Sequence, residues 1–331
     1  VPPYPKIELH VHLEGSVRPR TLLDIAARNN LTLPADTEAG IAELYTFRDF
    51  AHFVDVWILT THALRTASDF RQVVVDYAGE AKAYGAVYIE AIFSPIERVA
   101  RGVQWAELFE GYCDGGEDAY AEHGVTVRLT PDIYRGCDVE AAEETARWAV
   151  RFRDRGVVGL GIGGLEADFP PEPYATAFAI ARDGGLGAVP HAGEVAGPES
   201  IRATVAALGA DRIRHGIRAI EEPSLLDEIV DTGTVLDVCL VSNLRTRVVD
   251  DLAAHPLPKL VAAGVQCTVN TDDPAMFSTD LGYEHEVARG LGVAPKAMYD
   301  AGVAGALCDD VTRERLVTIG AGAVWDANDQ G

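Results

Sequence analysis

Lysine is scarce in this chain: four residues of 331, within a total of 28 basic against 51 acidic side chains and a formal charge of −23. A surface of that sign repels phosphate, so no nucleic acid is expected as a partner, and the acidity reads as solubility. Cysteine is also thin. Cys113, Cys137, Cys239, Cys267 and Cys308 are odd in number and lack any C-x-x-C spacing, which argues against a disulfide framework and a cysteine zinc site. They are expected to be reduced and mostly buried. No apolar run approaches the roughly 18 residues that span a bilayer, and the opening "VPPYPKIELH" lacks the regions of a signal peptide. The expected location is cytoplasmic, with no membrane partner. A G-x-G-x-x-G turn after the first strand candidate is missing too, so nothing cradles a dinucleotide pyrophosphate and an oxidoreductase is disfavoured. No linker, repeat or low-complexity segment interrupts the chain, so residues 1–331 are expected to form a single domain.

What is present is 48% hydrophobic content in a repeating pattern, enough to fill a sizeable core. Strand candidates occupy 6–12, 86–93, 124–132, 156–164, 185–194, 211–217, 233–240 and 265–273, each with Gly or Asp close to an end. Amphipathic segments such as "VEAAEETARWAVRFRDRG" lie between them and stop at glycine. Strand then helix, about eight times, predicts an α/β fold of the TIM (β/α)8 barrel type, with a doubly wound sheet as the alternative. From Thr21 to Phe70 the alternation gives way to apolar and aromatic residues at helical spacing, including Leu44, Phe47, Phe50, Phe53 and Trp57. This predicts a helical insertion after strand 1, of the kind that covers an active site. The tail after Pro295 predicts extra C-terminal helices.

In a strand, residues i and i+2 face the same side, so His10 and His12 point together into the barrel, where two neutral imidazoles can share one metal ion. His191 and Glu194 end the fifth strand candidate, His215 ends the sixth, and Asp272 and Asp273 end the eighth. In a barrel those carboxyl ends converge on one pocket, so three histidines and a carboxylate can ligate zinc. Any one of these histidines alone would read as a hydrogen-bonded structural residue; four sharing strand-linked positions do not. His52, His62, His123, His255 and His285 fall on helices or loops and read as ordinary surface or packing histidines.

The segments "HVHLEG", "HAGE", "RHG" with "SN" downstream, and "TDDP" resemble, in order and across essentially the whole chain, the adenosine deaminase family of metal-dependent hydrolases. The resemblance implies that His10, His12, His191 and Asp272 hold one zinc ion with a coordination position left for water, whose pKa falls toward 7 there. It implies that His215 takes or shares the water's proton, with Glu194 as the proton donor to N1 of a 6-aminopurine, and that Glu194 is protonated when substrate is bound. Asp273 would meet N7, the Gly164 N–H would meet N3, and Glu14 would lie toward the ribose 5′ end. "HLEG" in place of the more usual "HLDG", together with "GGLEADFPPEPYA" and "HAGEVAGPESI", is most similar to the branch that deaminates 6-aminodeoxyfutalosine for menaquinone biosynthesis. That substrate carries a carboxylated aromatic group at its 5′ end, and Arg18, Arg20 or Arg135 could reach it. Adenosine is expected to be accepted as well; an adenosine or 2′-deoxyadenosine deaminase of purine salvage and an adenine deaminase are the alternatives. Leu240 stands where the family commonly has proline and should shift the loop after strand 7 slightly. A binuclear amidohydrolase would want a modified lysine in strand 4, which is absent, and a cytidine-deaminase fold would want H-x-E with P-C-x-x-C. A catalytically inactive binding protein on the same barrel is the reading from a different class. The expected partner is a small-molecule purine nucleoside; monomer and homo-oligomer stay equally open.

Overall fold

The computed structural model describes residues 3–325. Its strands are β1 (Lys6–His12), β2 (Ala86–Phe93), β3 (Thr126–Tyr134), β4 (Gly159–Gly163), β5 (Gly187–Ala188), β6 (His191–Ala192), β7 (Arg212–His215), β8 (Val235–Val238) and β9 (Cys267–Val269). They form two parallel arcs, β1-β2-β3-β4-β5 and β6-β7-β8-β9. The fifth predicted strand, 185–194, is divided into β5 and β6 at Val189 and Pro190, because proline has no N–H to give to the ladder. The edges still meet there: Val189 N donates to Leu160 O at 2.9 Å and Pro190 O accepts from Arg214 N at 3.0 Å. At the other seam His12 N donates to Asp272 O at 2.7 Å and Asp272 N to His10 O at 3.1 Å. The predicted eight-position barrel is thus recovered, with strands buried on both faces as parallel sheets require.

Four helices, Pro19–Arg28, Glu38–Leu44, Phe50–Thr61 and Ala67–Ala83, separate β1 from β2, as the aromatic spacing of that stretch predicts. Each start is written locally. Thr66 and Asp69 form a capping box at the head of Ala67–Ala83, and Asp49 caps Phe50–Thr61 through His52 N. Helix Phe50–Thr61 is held over the barrel mouth by Phe53, whose ring lies 5.0 Å from that of Phe277 and 5.3 Å from that of Phe47. Helices Pro295–Gly305 and Asp310–Gly322 supply the predicted C-terminal extension. The first packs so closely on β1 that a Cβ at Gly302 would stand 2.7 Å from Ile7 Cβ. Among the described residues, no helix is long and apolar enough to cross a membrane. All five cysteines are free thiols, four of them buried.

The barrel interior is charged. Arg212 bonds Glu90 at 2.7 Å and also Asp237, and Arg214 bonds Asp132 and Thr130, all of them buried. Side-chain alternation along "RIRH" sends both arginines inward, and each meets a carboxylate, the condition for burying a charge.

Candidate active site

Alternation along β1 places Glu8, His10 and His12 on the interior side, His10 fully buried. By the same rule His215 should face away from Arg214. It does not, because its φ of +63° turns the end of β7 back into the barrel; Asp272, also at +63°, makes the same turn beyond β9. Left-handed backbone at a residue with a Cβ is uncommon, and here it occurs twice on facing sides of one site.

The two turns complete a tight cluster. His10 Nε2 lies 3.1 Å from His191 Nε2 and 3.2 Å from Asp272 Oδ1; His12 Nε2 lies 3.3 Å from both His191 Nε2 and Asp272 Oδ1. His191 Nδ1 donates to Ile162 O at 2.9 Å, and His10 Nδ1 faces Asp237 O at 3.4 Å. Since a carbonyl only accepts, both Nδ1 atoms carry the proton and both Nε2 atoms present bare lone pairs to each other. Burial keeps these rings neutral: His10 is lowered to about 3, His12 to about 4, and His191 well below the usual imidazole range. Facing lone pairs with a carboxylate beside them repel one another, and a cation between them resolves the conflict. Three imidazole nitrogens and a carboxylate oxygen, all within 4.8 Å of one another, fit a divalent ion such as zinc.

A cavity of about 300 Å³ opens onto this cluster. Glu194 lines it with Oε1 buried and without a protein partner, and Oε2 3.6 Å from His215 Nε2. Burial, reinforced by the nearby Asp272, pushes the Glu194 carboxyl well above the usual range. Asp273 is raised for the same two reasons. Its Oδ1 accepts from Trp57 Nε1 at 2.8 Å, which ties the insertion helix to the site. Gly164 also lines the cavity, at a φ of +101° that suits glycine. The outer wall is apolar, built from Phe50, Phe53, Val54, Ile58, Ile133 and Phe169. A larger groove of about 1120 Å³ lies near the amino ends of the strands and holds none of these groups.

Not every predicted residue reaches the cavity. Glu14 is buried but does not line it: Oε1 accepts from Ser94 N at 2.8 Å and Tyr112 OH at 3.1 Å. The cation beside it is Arg98, at 3.8 Å, which also lies against the Trp57 ring. Arg18 pairs with Glu80, and Arg20 is exposed and bonded to Asp24, so neither lines the cavity. Arg135 does, with Nη1 on Phe169 O at 2.8 Å and Nη2 on His191 O at 2.9 Å. At Leu240 the N–H that proline would lack donates to Glu284 Oε2 at 3.2 Å, so the substitution is compensated inside the fold.

Other residues matter more than their place in the sequence suggests. Glu166 accepts the backbone N–H groups of Gly193, Glu194, Val195 and Ala196 and the Ser200 hydroxyl at 2.6–3.2 Å, fixing the "HAGE" turn. Ser242 Oγ donates to Asp272 Oδ2 at 2.6 Å. Asn243 Nδ2 lies 3.3 Å from His215 Nδ1, and buried His255, which reads from sequence as a packing residue, bonds Asn243.

Residues 5–318 match the adenosine deaminase family model. An aminodeoxyfutalosine deaminase of Acidothermus cellulolyticus is 59% identical over 97% of this chain and 92% of its own. An adenine deaminase of Rhodospirillum rubrum is 37% identical over 82% and 81%. Among solved structures, an adenine deaminase from Arthrobacter aurescens superposes with a TM-score of 0.91 at 28% identity, covering 96% of this chain and 98% of that one. An amidohydrolase from Burkholderia ambifaria with bound zinc gives 0.87 at 26% identity, covering 96% and 90%. A match spanning nearly the whole barrel, together with relatives well above 30% identity, is decisive: this chain belongs to the adenosine deaminase family.

Proposed function

We propose that this protein hydrolyses the C6 amino group of a 6-aminopurine nucleoside, releasing ammonia and the 6-oxopurine, and that its preferred substrate is 6-aminodeoxyfutalosine. One observation carries the chemistry: a buried carboxyl, Glu194, with an oxygen left unpartnered, faces the same cavity as the three-histidine, one-aspartate cluster. His10, His12, His191 and Asp272 would hold one zinc ion. Bound there, the ion lowers the pKa of water in its open position and supplies a nucleophile at neutral pH.

The remaining work falls to the chain's own groups. As water adds to C6 the ring loses aromaticity, and Glu194 delivers the proton that N1 then needs; burial keeps that proton in place beforehand. Asp273, held in the protonated form by burial, donates toward N7, and the Gly164 N–H is assigned to N3. His215 Nε2 and Asp272 Oδ2, 3.8 Å apart, flank the reacting water and manage its proton. Helix Phe50–Thr61 excludes bulk solvent, which strengthens each of these interactions.

The apolar outer wall supports the choice of substrate. Phe50, Val54, Ile58 and Phe169 suit an aryl group at the 5′ end better than a bare hydroxyl, and the 59% identical relative bears the matching name. A purine nucleoside of cofactor synthesis also fits a cytoplasmic protein. The test is kcat/KM, followed by absorbance at C6, for 6-aminodeoxyfutalosine, adenosine, 2′-deoxyadenosine and adenine with one zinc-loaded preparation. A preference of about tenfold or more for the first, roughly 1.4 kcal/mol of transition-state binding, is expected. Adenosine or adenine preferred would overturn the substrate, and no turnover of any would overturn the enzyme reading.

A further inference from the structure

His255 stands 40 residues beyond the strand that carries His215, yet the two are joined through one side chain. Leu257 N–H, a donor without ambiguity, points at His255 Nδ1 at 3.1 Å. Nδ1 must therefore accept, and a neutral His255 carries its proton on Nε2. That Nε2 lies 3.2 Å from Asn243 Oδ1, which accepts and so orients the amide. The Asn243 amide nitrogen, which only donates, is then left facing His215 Nδ1 at 3.3 Å. His255, Asn243 and His215 are all buried, so water does not compete for these positions.

We propose that His255 and Asn243 form a positioning relay that fixes His215 as the tautomer protonated on Nε2, the nitrogen facing Glu194 and Asp272. His215 then enters the reaction as a donor that orients the water, and the proton the water gives up passes to Asp272 Oδ2, 3.8 Å from His215 Nε2. Each link depends on the one before: the backbone N–H of Leu257 sets His255, His255 sets the amide, and the amide sets the imidazole. Burial holds His255 at about 4, so it stays neutral and the relay persists through the physiological range. The neighbouring Ser242 acts in parallel on the other group, donating to Asp272 Oδ2. The "SN" pair thus assigns one residue to each of the two groups that flank the water.

The inference rests on the deaminase reading only for its kinetic arm. In zinc-loaded protein labelled with 15N-histidine, long-range 1H–15N correlation should show His215 with an unprotonated Nδ1 and a protonated Nε2, without substrate. Asn243→Asp replaces the one donor seen facing Nδ1 among the described residues by an acceptor. It should switch His215 to the Nδ1–H form and lower kcat about 10²-fold or more, with KM within about threefold and zinc content unchanged. His255→Leu, which releases the amide, should lower kcat about tenfold, and His255→Gln, which offers an acceptor and a donor again, should restore most of that loss. A wild-type spectrum with protonated His215 Nδ1 would overturn the relay. So would an Asn243→Asp protein with tautomer and kcat unchanged. Neither result depends on which purine is the preferred substrate.

Discussion

Gly15, in the "HLEG" segment, has no side chain because Asp273 fills the space. A Cβ there would stand 1.7 Å from Asp273 Oδ1, 2.4 Å from Cγ and 2.6 Å from Cβ. In Gly15→Ala the Asp273 side chain must retreat by about 1.8 Å before ordinary contact distance is restored. That movement breaks the 2.8 Å bond from Trp57 Nε1 and carries the carboxyl away from its place in the cavity. Displacing a positioned group by about 1 Å costs about 10²-fold, and a lost hydrogen bond to a buried polar partner costs about 1–3 kcal/mol. The expected kcat/KM for the preferred purine is therefore about 10²-fold below wild type. Overpacking should also destabilise the fold by about 1–3 kcal/mol, visible as a lower Tm. Trp57→Phe removes the same donor without the clash and should cost less, about tenfold. Steady-state kinetics, metal content and a crystal structure of Gly15→Ala check the argument together. Near-normal kcat/KM with Asp273 unmoved would refute it, since the contact distances leave no room for both atoms.

Glu194→Gln keeps the shape of the carboxyl but cannot deliver a proton, so kcat should fall about 10²–10⁴-fold while metal content by elemental analysis stays at the wild-type level. His10→Ala should lose both metal and turnover, and its Tm should no longer rise when zinc is added; retained binding after dialysis would remove His10 from the ligand set. For pH, buried Glu284 is raised to about 8 by burial, against an ordinary glutamate in the unfolded chain. The folded state therefore keeps a proton that the unfolded chain releases, and the stability this contributes is lost as pH rises from about 4.5 through about 8. Glu284→Gln should flatten the decline of Tm over that window; an unchanged slope would show that Glu284 does not carry it.

The barrel is legible because its strands are short apolar runs punctuated by Gly or Asp, and His10 and His12 are legible because β1 is regular. His215 and Asp272 are different. Strand alternation alone would turn His215 away from Arg214, and only the left-handed backbone at +63° in both residues brings them to the cluster. No periodicity encodes that turn; the "RHG" and "TDDP" motifs stand in for it. Glu14 shows the converse. It follows His12 by two residues, but the 3-10 turn at Glu14–Ser16 directs its carboxylate onto Ser94 N and Tyr112 OH. The arginines illustrate a third limit, since a long side chain goes where its partner is: Arg18 to Glu80, Arg135 to the carbonyls of Phe169 and His191. His255 was hidden because its role lies in one hydrogen bond to a residue 12 positions away, a contact that spacing does not reveal.

The charged interior and the histidine cluster belong to one arrangement. Burial is the largest cause that lowers His10, His12, His191 and His215, and the positive charge of Arg214 acts on all four in the same direction. In the core Arg214 is held by Asp132 and Thr130, and Asp132 Oδ2 reaches His191 Nδ1 at 3.4 Å. One strand, "RIRH", thus supplies both the cation that disfavours imidazolium and a histidine that lines the cavity. At neutral pH the rings need shed no proton before a cation enters, and the Nε2 lone pairs of His10 and His191 already face each other. In a metal site elsewhere on an acidic surface of this kind, nearby carboxylates would favour imidazolium and oppose ligation. Here burial, with Arg214 acting in the same direction, outweighs the opposing pull of Asp272, which is why a chain of formal charge −23 can keep four histidines neutral at its centre.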